Sequence, residues 1–205
     1  RSTLFPYTTL FRSIETDNEY IEAIASKGYS LTCLGRLDEA LQCYNRIIEI
    51  NPEDICAWCE RGNLFLKKSR HEEAISCFDR AITIDPDYPD AWNNKSWTLK
   101  ETGKYKEAMK CIDRALELDE KNYAYRDTKG VILLKEEQYD EAIKCFDRAL
   151  ELEPDCVEII VNKGQALCGL KKYDEAIKWF DRALELEPDS KDAKEGKEKA
   201  LKGEK

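Results

Sequence analysis

One histidine and a closely spaced pair of cysteines are the residues of this sequence best suited to catalysis, metal binding or redox activity. His71 is the only histidine in 205 residues. Nucleophilic catalysis needs a base and a group that orients that base. Tyrosine stands at each of three later positions spaced 34 residues apart, Tyr105, Tyr139 and Tyr173. The position of His71 therefore indicates packing, and we predict no enzyme activity.

Cys56 and Cys59 are three residues apart, so on a helix they would share a face and could supply two of the four ligands of a zinc ion. The sequence has no second such pair. A redox motif of this spacing opens a helix after a strand, and the apolar residues here recur at helical intervals. Cys43, Cys77 and Cys111 recur every 34 residues, which is typical of small buried side chains. We predict no metal and no cofactor.

Charge and cysteine content narrow the partners and the compartment. The chain has 42 acidic and 33 basic residues and a net charge of −9, which repels nucleic acid phosphates and anionic membrane surfaces. No window reaches the roughly 18 apolar residues of a membrane span. Nine cysteines and no recognisable signal peptide predict a reducing compartment, the cytoplasm.

The sequence repeats itself with a period of 34 residues. The dipeptide Glu-Ala marks the period, at Glu39, Glu73, Glu107, Glu141 and Glu175 with the alanine that follows each. Five full units result: 21–54, 55–88, 89–122, 123–156 and 157–190.

Each unit has two stretches of helical periodicity, which predicts a helical hairpin. Proline ends four of the units and stops the second helix, whereas Glu120 replaces it in the third and predicts a less sharp junction there. Glycine costs about 1 kcal/mol in a helix, so its recurrence indicates a close approach of the second helix. The small residues on the first helix are Gly28, Gly62, Ser96, Gly130 and Gly164. Ala108 is one of the small residues expected opposite them.

These features resemble the tetratricopeptide repeat, whose period and pattern they share. The motif is seen in Trp58-x-x-Arg61-Gly62-x-x-Phe65 and in Tyr139-x-Glu141-Ala142, followed by phenylalanine, alanine and proline. The resemblance implies an all-α, right-handed superhelical solenoid of antiparallel helix pairs that acts as a protein-interaction scaffold. One departure is systematic, because Lys or Arg precedes the small residue where the family usually has Leu. We expect these charged groups to reach solvent while their stems pack.

The two ends of the chain differ from the repeats. Residues 3–13 resemble a translated sequencing adapter, so we interpret residues 1–13 as non-native and 14–20 as the tail of a truncated upstream repeat. The chain would then be a fragment. Residues 191–205 keep apolar residues at helical spacing among Lys and Glu, which predicts a C-terminal capping helix.

The resemblance also implies a groove lined by the second, fifth, sixth, ninth, twelfth and thirteenth places of each first helix. Acid and amide groups with two aromatic rings predict that an extended, basic peptide binds there. The simpler alternative is a solvated polar face. The candidate groove residues are Glu22, Tyr29, Glu60, Asn63, Asp90, Asn93, Asn94, Trp97, Asp127, Glu158, Asn162 and Gln165.

Two further alternatives concern the whole protein. The chain could be the accessory domain of a larger enzyme whose catalytic part lay upstream. We expect a monomer, and end-to-end stacking through the truncated N-terminal face is the alternative assembly.

Overall fold

A computed structural model describes residues 20–203, and every regular element in this range is an α-helix. The expectations for residues 1–13 and for most of 14–20 lie outside the described residues. Helix α1 covers 20–33. The others are α2 (Leu37–Ile50), α3 (Ile55–Lys67), α4 (His71–Ile84), α5 (Pro89–Glu101), α6 (Tyr105–Leu118), α7 (Tyr123–Lys135), α8 (Tyr139–Leu152), α9 (Val157–Gly169), α10 (Tyr173–Leu186) and α11 (Lys191–Lys202).

The helices form two compact units, one ending at Pro86 and one beginning at Asp87. The first unit contains α1 to α4, and its core includes Tyr44, Ile47 and Leu64. The second unit contains α5 to α11. In each unit short turns bring consecutive helices together as antiparallel pairs, among them α3 with α4, α5 with α6 and α7 with α8. The predicted all-α fold of antiparallel helix pairs is confirmed.

Small residues on the first helix of a pair allow a bulky side chain of the second helix to come close. A Cβ atom on Gly62 would lie 2.5 Å from Cε1 of Phe78, and the same substitution at Gly130 would meet Phe146 at 2.5 Å. In the third pair, buried Ser96 donates a hydrogen bond from Oγ to the carbonyl oxygen of Ala108 at 2.8 Å. The predicted close approach is confirmed.

The turns inside the hairpins share a left-handed residue that was not predicted from the sequence. The φ angle is +73° at Gly35 and +76° at Gly103, and it is +57° at Ser69, +60° at Glu137 and +62° at Lys171. These positions are 34 residues apart. Three of the five turns therefore hold a side chain in a conformation that favours glycine.

The helix before Glu120 ends in the same way as a helix before proline. Asp119 has φ −140° and ψ 89°, against −135° and 101° for Asp85, which precedes Pro86. The backbone N–H groups of both residues bond to the carbonyl oxygen four residues back, at 2.9 Å. The end of α6 therefore does not differ from that of α4, and the less sharp join between the third and fourth units stays a prediction.

The basic residues that precede the small residues do not simply extend into solvent. Lys129 Nζ lies 2.7 Å from Asp113 Oδ1, and Lys163 pairs with Asp147 in the same way. The capping helix continues the series, with Lys197 at 2.5 Å from Asp181. The lysine follows its partner by 16 residues each time, so the ion pairs join the second helix of one repeat to the next helix of the chain. This corrects the expectation that the charges face water alone.

Candidate functional site

The first helices of the hairpins in the second unit, together with α11, form a continuous surface. Helix α5 contacts α7, α7 contacts α9, and α9 contacts α11. Eight of the candidate residues lie on these helices. We use the name inner face for the surface of this unit lined by Lys100, Val131, Leu134, Asn162, Gln165 and Asp192.

Two hydrogen bonds connect neighbouring helices of this surface through candidate residues. The hydroxyl of Tyr125 donates to Asp90 Oδ1 at 2.5 Å. The side-chain amide of Asn162 donates to Asp127 Oδ1 at 3.0 Å. Both pairs are 35 residues apart, one repeat plus one place. These candidates therefore fix the spacing of the helices as well as facing the surface.

Asp127 is not the open surface charge that the sequence suggested. Its exposed fraction is 9%, because α9 packs against this part of α7. Burial raises its pKa to about 6, with a smaller rise from the Glu158 carboxylate, while the bond from Asn162 and the charge of Lys100 act in the opposite direction. The pKa of the neighbouring Tyr125 hydroxyl is also raised, first by burial and then by its bond to Asp90.

Trp97 is partly buried, and a cation covers its ring. Lys100 Nζ lies 3.1 Å from the centroid of the indole, close enough for a cation–π interaction. Lys100 is itself 7% exposed and pairs with Glu101 at 2.8 Å. The sequence predicted a bare aromatic anchor, but the lysine three residues later shares its helix face. That spacing was visible in the sequence.

Three cavities meet around Gln165. The acidic cavity, of about 520 Å³, is lined by Glu158, Glu187, Asp189 and Asp192 among others. The apolar cavity, of about 320 Å³, is lined by Leu134, Cys168, Gly169 and Phe180 among others. The lysine cavity, of about 400 Å³, includes Lys100 and Lys135. Gln165 lines all three, and Asn162 lines the acidic and the lysine cavities.

Several lining residues were not predicted from the sequence, although the register could have found them. Lys100, Leu134 and Cys168 occupy the twelfth place of their repeats, and Lys135 occupies the thirteenth. The capping helix follows the same register, with Asp192 at the second place of a sixth unit. The twelfth place and the capping helix thus contribute to the face together with the candidates named above.

The remaining candidates lie in less defined surroundings. In the first unit Glu22 and Tyr29 are exposed on α1, with Tyr29 67% exposed, and Glu60 and Asn63 are partly buried on α3. In the second unit Asn93 and Asn94 are partly buried on α5. The Oδ1 atom of Asn93 is enclosed and has no hydrogen-bond partner among the described residues.

The histidine and the two cysteines considered for catalysis or metal binding do not share one environment. His71 is partly buried, Cys56 is exposed and Cys59 is buried, so the two thiols face different surroundings. Within residues 20–203, no group of three or more His, Cys, Asp or Glu side chains is placed to hold a metal ion. In the same range no helix has the length and apolar character to cross a membrane.

Comparison with known protein families finds repeat models that match most of the chain. Sequence models of the tetratricopeptide repeat match residues 28–69, 55–88, 77–110 and 128–192. The chain belongs to the tetratricopeptide repeat family. A comparison with curated proteins finds no match.

Solved tetratricopeptide repeat structures share the fold. The chain covers 97% of YrrB, described as a TPR protein with an unusual peptide-binding site, with 92% of this chain aligned, 24% identity and a TM-score of 0.65. For TTC0263, a thermophilic TPR protein of Thermus thermophilus, the coverage is 88% of this chain and 98% of that one, at 22% identity and TM-score 0.75. PilW, a type IV pilus biogenesis factor, gives TM-score 0.84 at 18% identity, with 90% of this chain and 86% of that one covered.

Proposed function

We propose that this tetratricopeptide repeat protein is an interaction scaffold that binds an extended segment of a partner protein on the inner face. The observation that carries the proposal is the position of Gln165, whose side chain lines three adjoining cavities. A side-chain amide has both donors and acceptors, so it can pair with the N–H and C=O groups of a peptide unit. Asn162 lines two of these cavities, and because one N–H of its amide is bonded to Asp127, it can offer the other N–H and the carbonyl oxygen.

The surface is held in place before any partner arrives. The bonds Tyr125–Asp90 and Asn162–Asp127 tie α5 to α7 and α7 to α9. Binding loses affinity when side chains and loops must be ordered at the interface. A surface on packed helices with bonded side chains avoids much of that cost, which supports a role in recognition.

Charge favours a basic or neutral partner over an acidic one. The net charge of the chain is −9, and Glu158 is exposed at the edge of the inner face. Asp127 contributes less to this attraction than an open carboxylate would, because it is buried and bonded. In this proposal the chain works as a cytoplasmic monomer that holds a partner and catalyses no reaction.

The test is a selection followed by titration. Peptides are selected against the full chain from a random library displayed on phage, and their affinities are then measured for matched variants. We expect Gln165→Ala to weaken binding most, because its side chain lines all three cavities, and Trp97→Ala to weaken it less, because Lys100 covers the indole ring. Lys144→Ala, a change on the exposed side of α8, should leave the affinity unchanged.

Equal affinity for all three variants would place the binding site elsewhere. Each variant is checked by circular dichroism before titration, so that loss of binding is not confused with loss of fold. The affinity for basic peptides should also fall as salt rises, because exposed charges are screened over about 8 Å at physiological ionic strength.

A further inference from the structure

We infer that the segment bound on the inner face presents a Lys or Arg side chain and a large apolar side chain, which occupy the acidic and the apolar cavity on either side of Gln165. The inference rests on the proposed function and specifies the chemistry of the partner. Hydrogen bonds to the peptide backbone alone would give the face little preference for any sequence. Two unlike cavities at a fixed separation favour partners that have the matching side chains at the matching spacing.

The acidic cavity lies where α9 and α11 begin. Its wall contains the four carboxylates of Glu158, Glu187, Asp189 and Asp192 and one ammonium group, that of Lys191. Asp189 also pairs with Lys194 at 3.3 Å. The two helix N-termini offset only about half a charge each. Net negative charge therefore remains in the cavity, and a cationic side chain of the partner complements it.

The apolar cavity lies towards the other ends of α7 and α9. Gly169 and Gly196 line two of its walls, and their missing side chains let the rings of Tyr139 and Phe180 come close to these walls. Gly196 can lie against Phe180 for this reason, since a Cβ atom there would be 2.5 Å from Cε1 of the ring. Leu134 and Cys168 add apolar groups to the wall, and charged side chains line the remainder, namely those of Lys135, Asp192, Glu195 and Lys199. The volume of about 320 Å³ reaches the lower range of small-ligand pockets and admits an aromatic or leucine side chain.

The two cavities belong to one binding surface. Gln165 and Asp192 line both of them, so a single short segment can place one side chain in each. The amide of Gln165 then faces the peptide groups between the two side chains. The occupant is a separate partner protein, because an acidic chain with net charge −9 complements the acidic cavity poorly through a second copy of itself.

The experiment reads the pattern from the sequences of the selected peptides. We expect a Lys or Arg at a constant distance from a Phe, Tyr, Trp or Leu. In a synthetic peptide of that pattern, replacing the basic residue by Ala should weaken binding to the parent chain about tenfold. The same replacement should change binding to Glu158→Lys much less, because that variant has lost the attraction.

The matched control is Glu185→Lys, which makes the same charge change at an exposed position of α10 and should behave as the parent chain. The apolar cavity is tested with Leu134→Glu, which should remove the preference for the apolar residue and keep that for the basic one. Circular dichroism melting identifies any variant that has lost its fold. If Leu134→Glu unfolds, Lys199→Trp, which narrows the cavity from its charged rim, takes its place.

The outcomes separate this inference from the function on which it rests. Peptides that bind Gln165→Arg as well as the parent chain, or no enrichment of any peptide, would refute the inner face as a binding surface. Peptides that require Gln165 but are acidic, or lack the paired pattern, would overturn the inference and leave the proposed function standing. Self-association of the chain that Gln165→Arg abolishes would assign the face to a second copy and also overturn it.

Discussion

The carboxylate of Asp127 connects the stability of the repeats to the surface we propose for binding. It is buried between α7 and α9 and accepts one hydrogen bond from Asn162. Its pKa is raised from 3.8 to about 6, chiefly by burial. The folded chain therefore holds this proton more tightly than the unfolded chain does.

We predict that Asp127→Asn stabilises the protein near neutral pH and removes part of its pH dependence. A raised pKa means that the carboxyl favours the folded state when protonated, and that this advantage is lost as pH rises from about 4 through about 6. The shift corresponds to roughly 3 kcal/mol, so the gain for Asp127→Asn at about pH 7 should be of the order of 1–3 kcal/mol. Urea denaturation at several pH values measures the gain.

The control for this prediction is Glu185→Gln, at an exposed position on α10 beyond the first turn of the helix. It should alter the unfolding free energy by no more than about 0.5 kcal/mol at any pH. An Asp127→Asn variant whose stability rises on acidification as steeply as that of the parent chain would show that another group titrates in this range.

The contacts of individual residues were the part of the site that sequence could not supply. The register placed Asn162 and Asp127 on the correct helices, but their hydrogen bond depends on the distance between α7 and α9. In the same way, the cation over Trp97 depends on the rotamer of Lys100. Spacing along a helix predicts which residues share a face, whereas rotamers and distances between helices follow from packing.

At the scale of the helix and its turn, the hairpins differ in how well the residue suits the backbone. Gly35 and Gly103 occupy the left-handed position without strain, but Ser69, Glu137 and Lys171 do not. The left-handed conformation costs a residue with a Cβ atom about 1–2 kcal/mol. Glycine also has more conformational freedom in the unfolded chain, which lowers the free energy of unfolding by about 0.5–1 kcal/mol.

We predict that Glu137→Gly raises the free energy of unfolding by about 0.5–1 kcal/mol, the difference between these two effects. Gly103→Ala should lower it by about 1 kcal/mol, because alanine must then adopt φ of +76°. Paired denaturation curves in urea measure both. A loss of stability in Glu137→Gly would mean that the glutamate side chain makes a contact worth more than the strain.

We also predict that Ala108→Leu destabilises the third hairpin by about 1–3 kcal/mol, because it forces extra volume between packed helices. Ala108 is fully buried, and its carbonyl oxygen accepts the bond from Ser96. Ala124→Leu is the matched control, since Ala124 is exposed on α7 and should tolerate the larger side chain. An unchanged denaturation midpoint for Ala108→Leu would show that the helices have room there.

At the scale of the whole chain, the 34-residue period was enough to predict the helix pairs because every repeat carries the same local signals. Small residues, alanines and helix ends recur in register, so each repeat reinforces the assignment of the others. The ion pairs between Lys129 and Asp113 and between Lys163 and Asp147 also follow a fixed interval of 16 residues. The interval can be read from the sequence, but it indicates ion pairs only when the two helices are known to pack against each other.

In our proposal the partner binds on the inner face, and not on the second helices of the hairpins, α6, α8 and α10. Amide hydrogen exchange with and without a peptide selected from the random library distinguishes these two surfaces without any substitution in the chain. We predict that peptide binding slows amide exchange around Leu134 in α7, Gln165 in α9 and Asp192 in α11. Exchange in α6 and α8 should not change. Protection confined to α6, α8 or α10, with none around Gln165, would contradict the proposal.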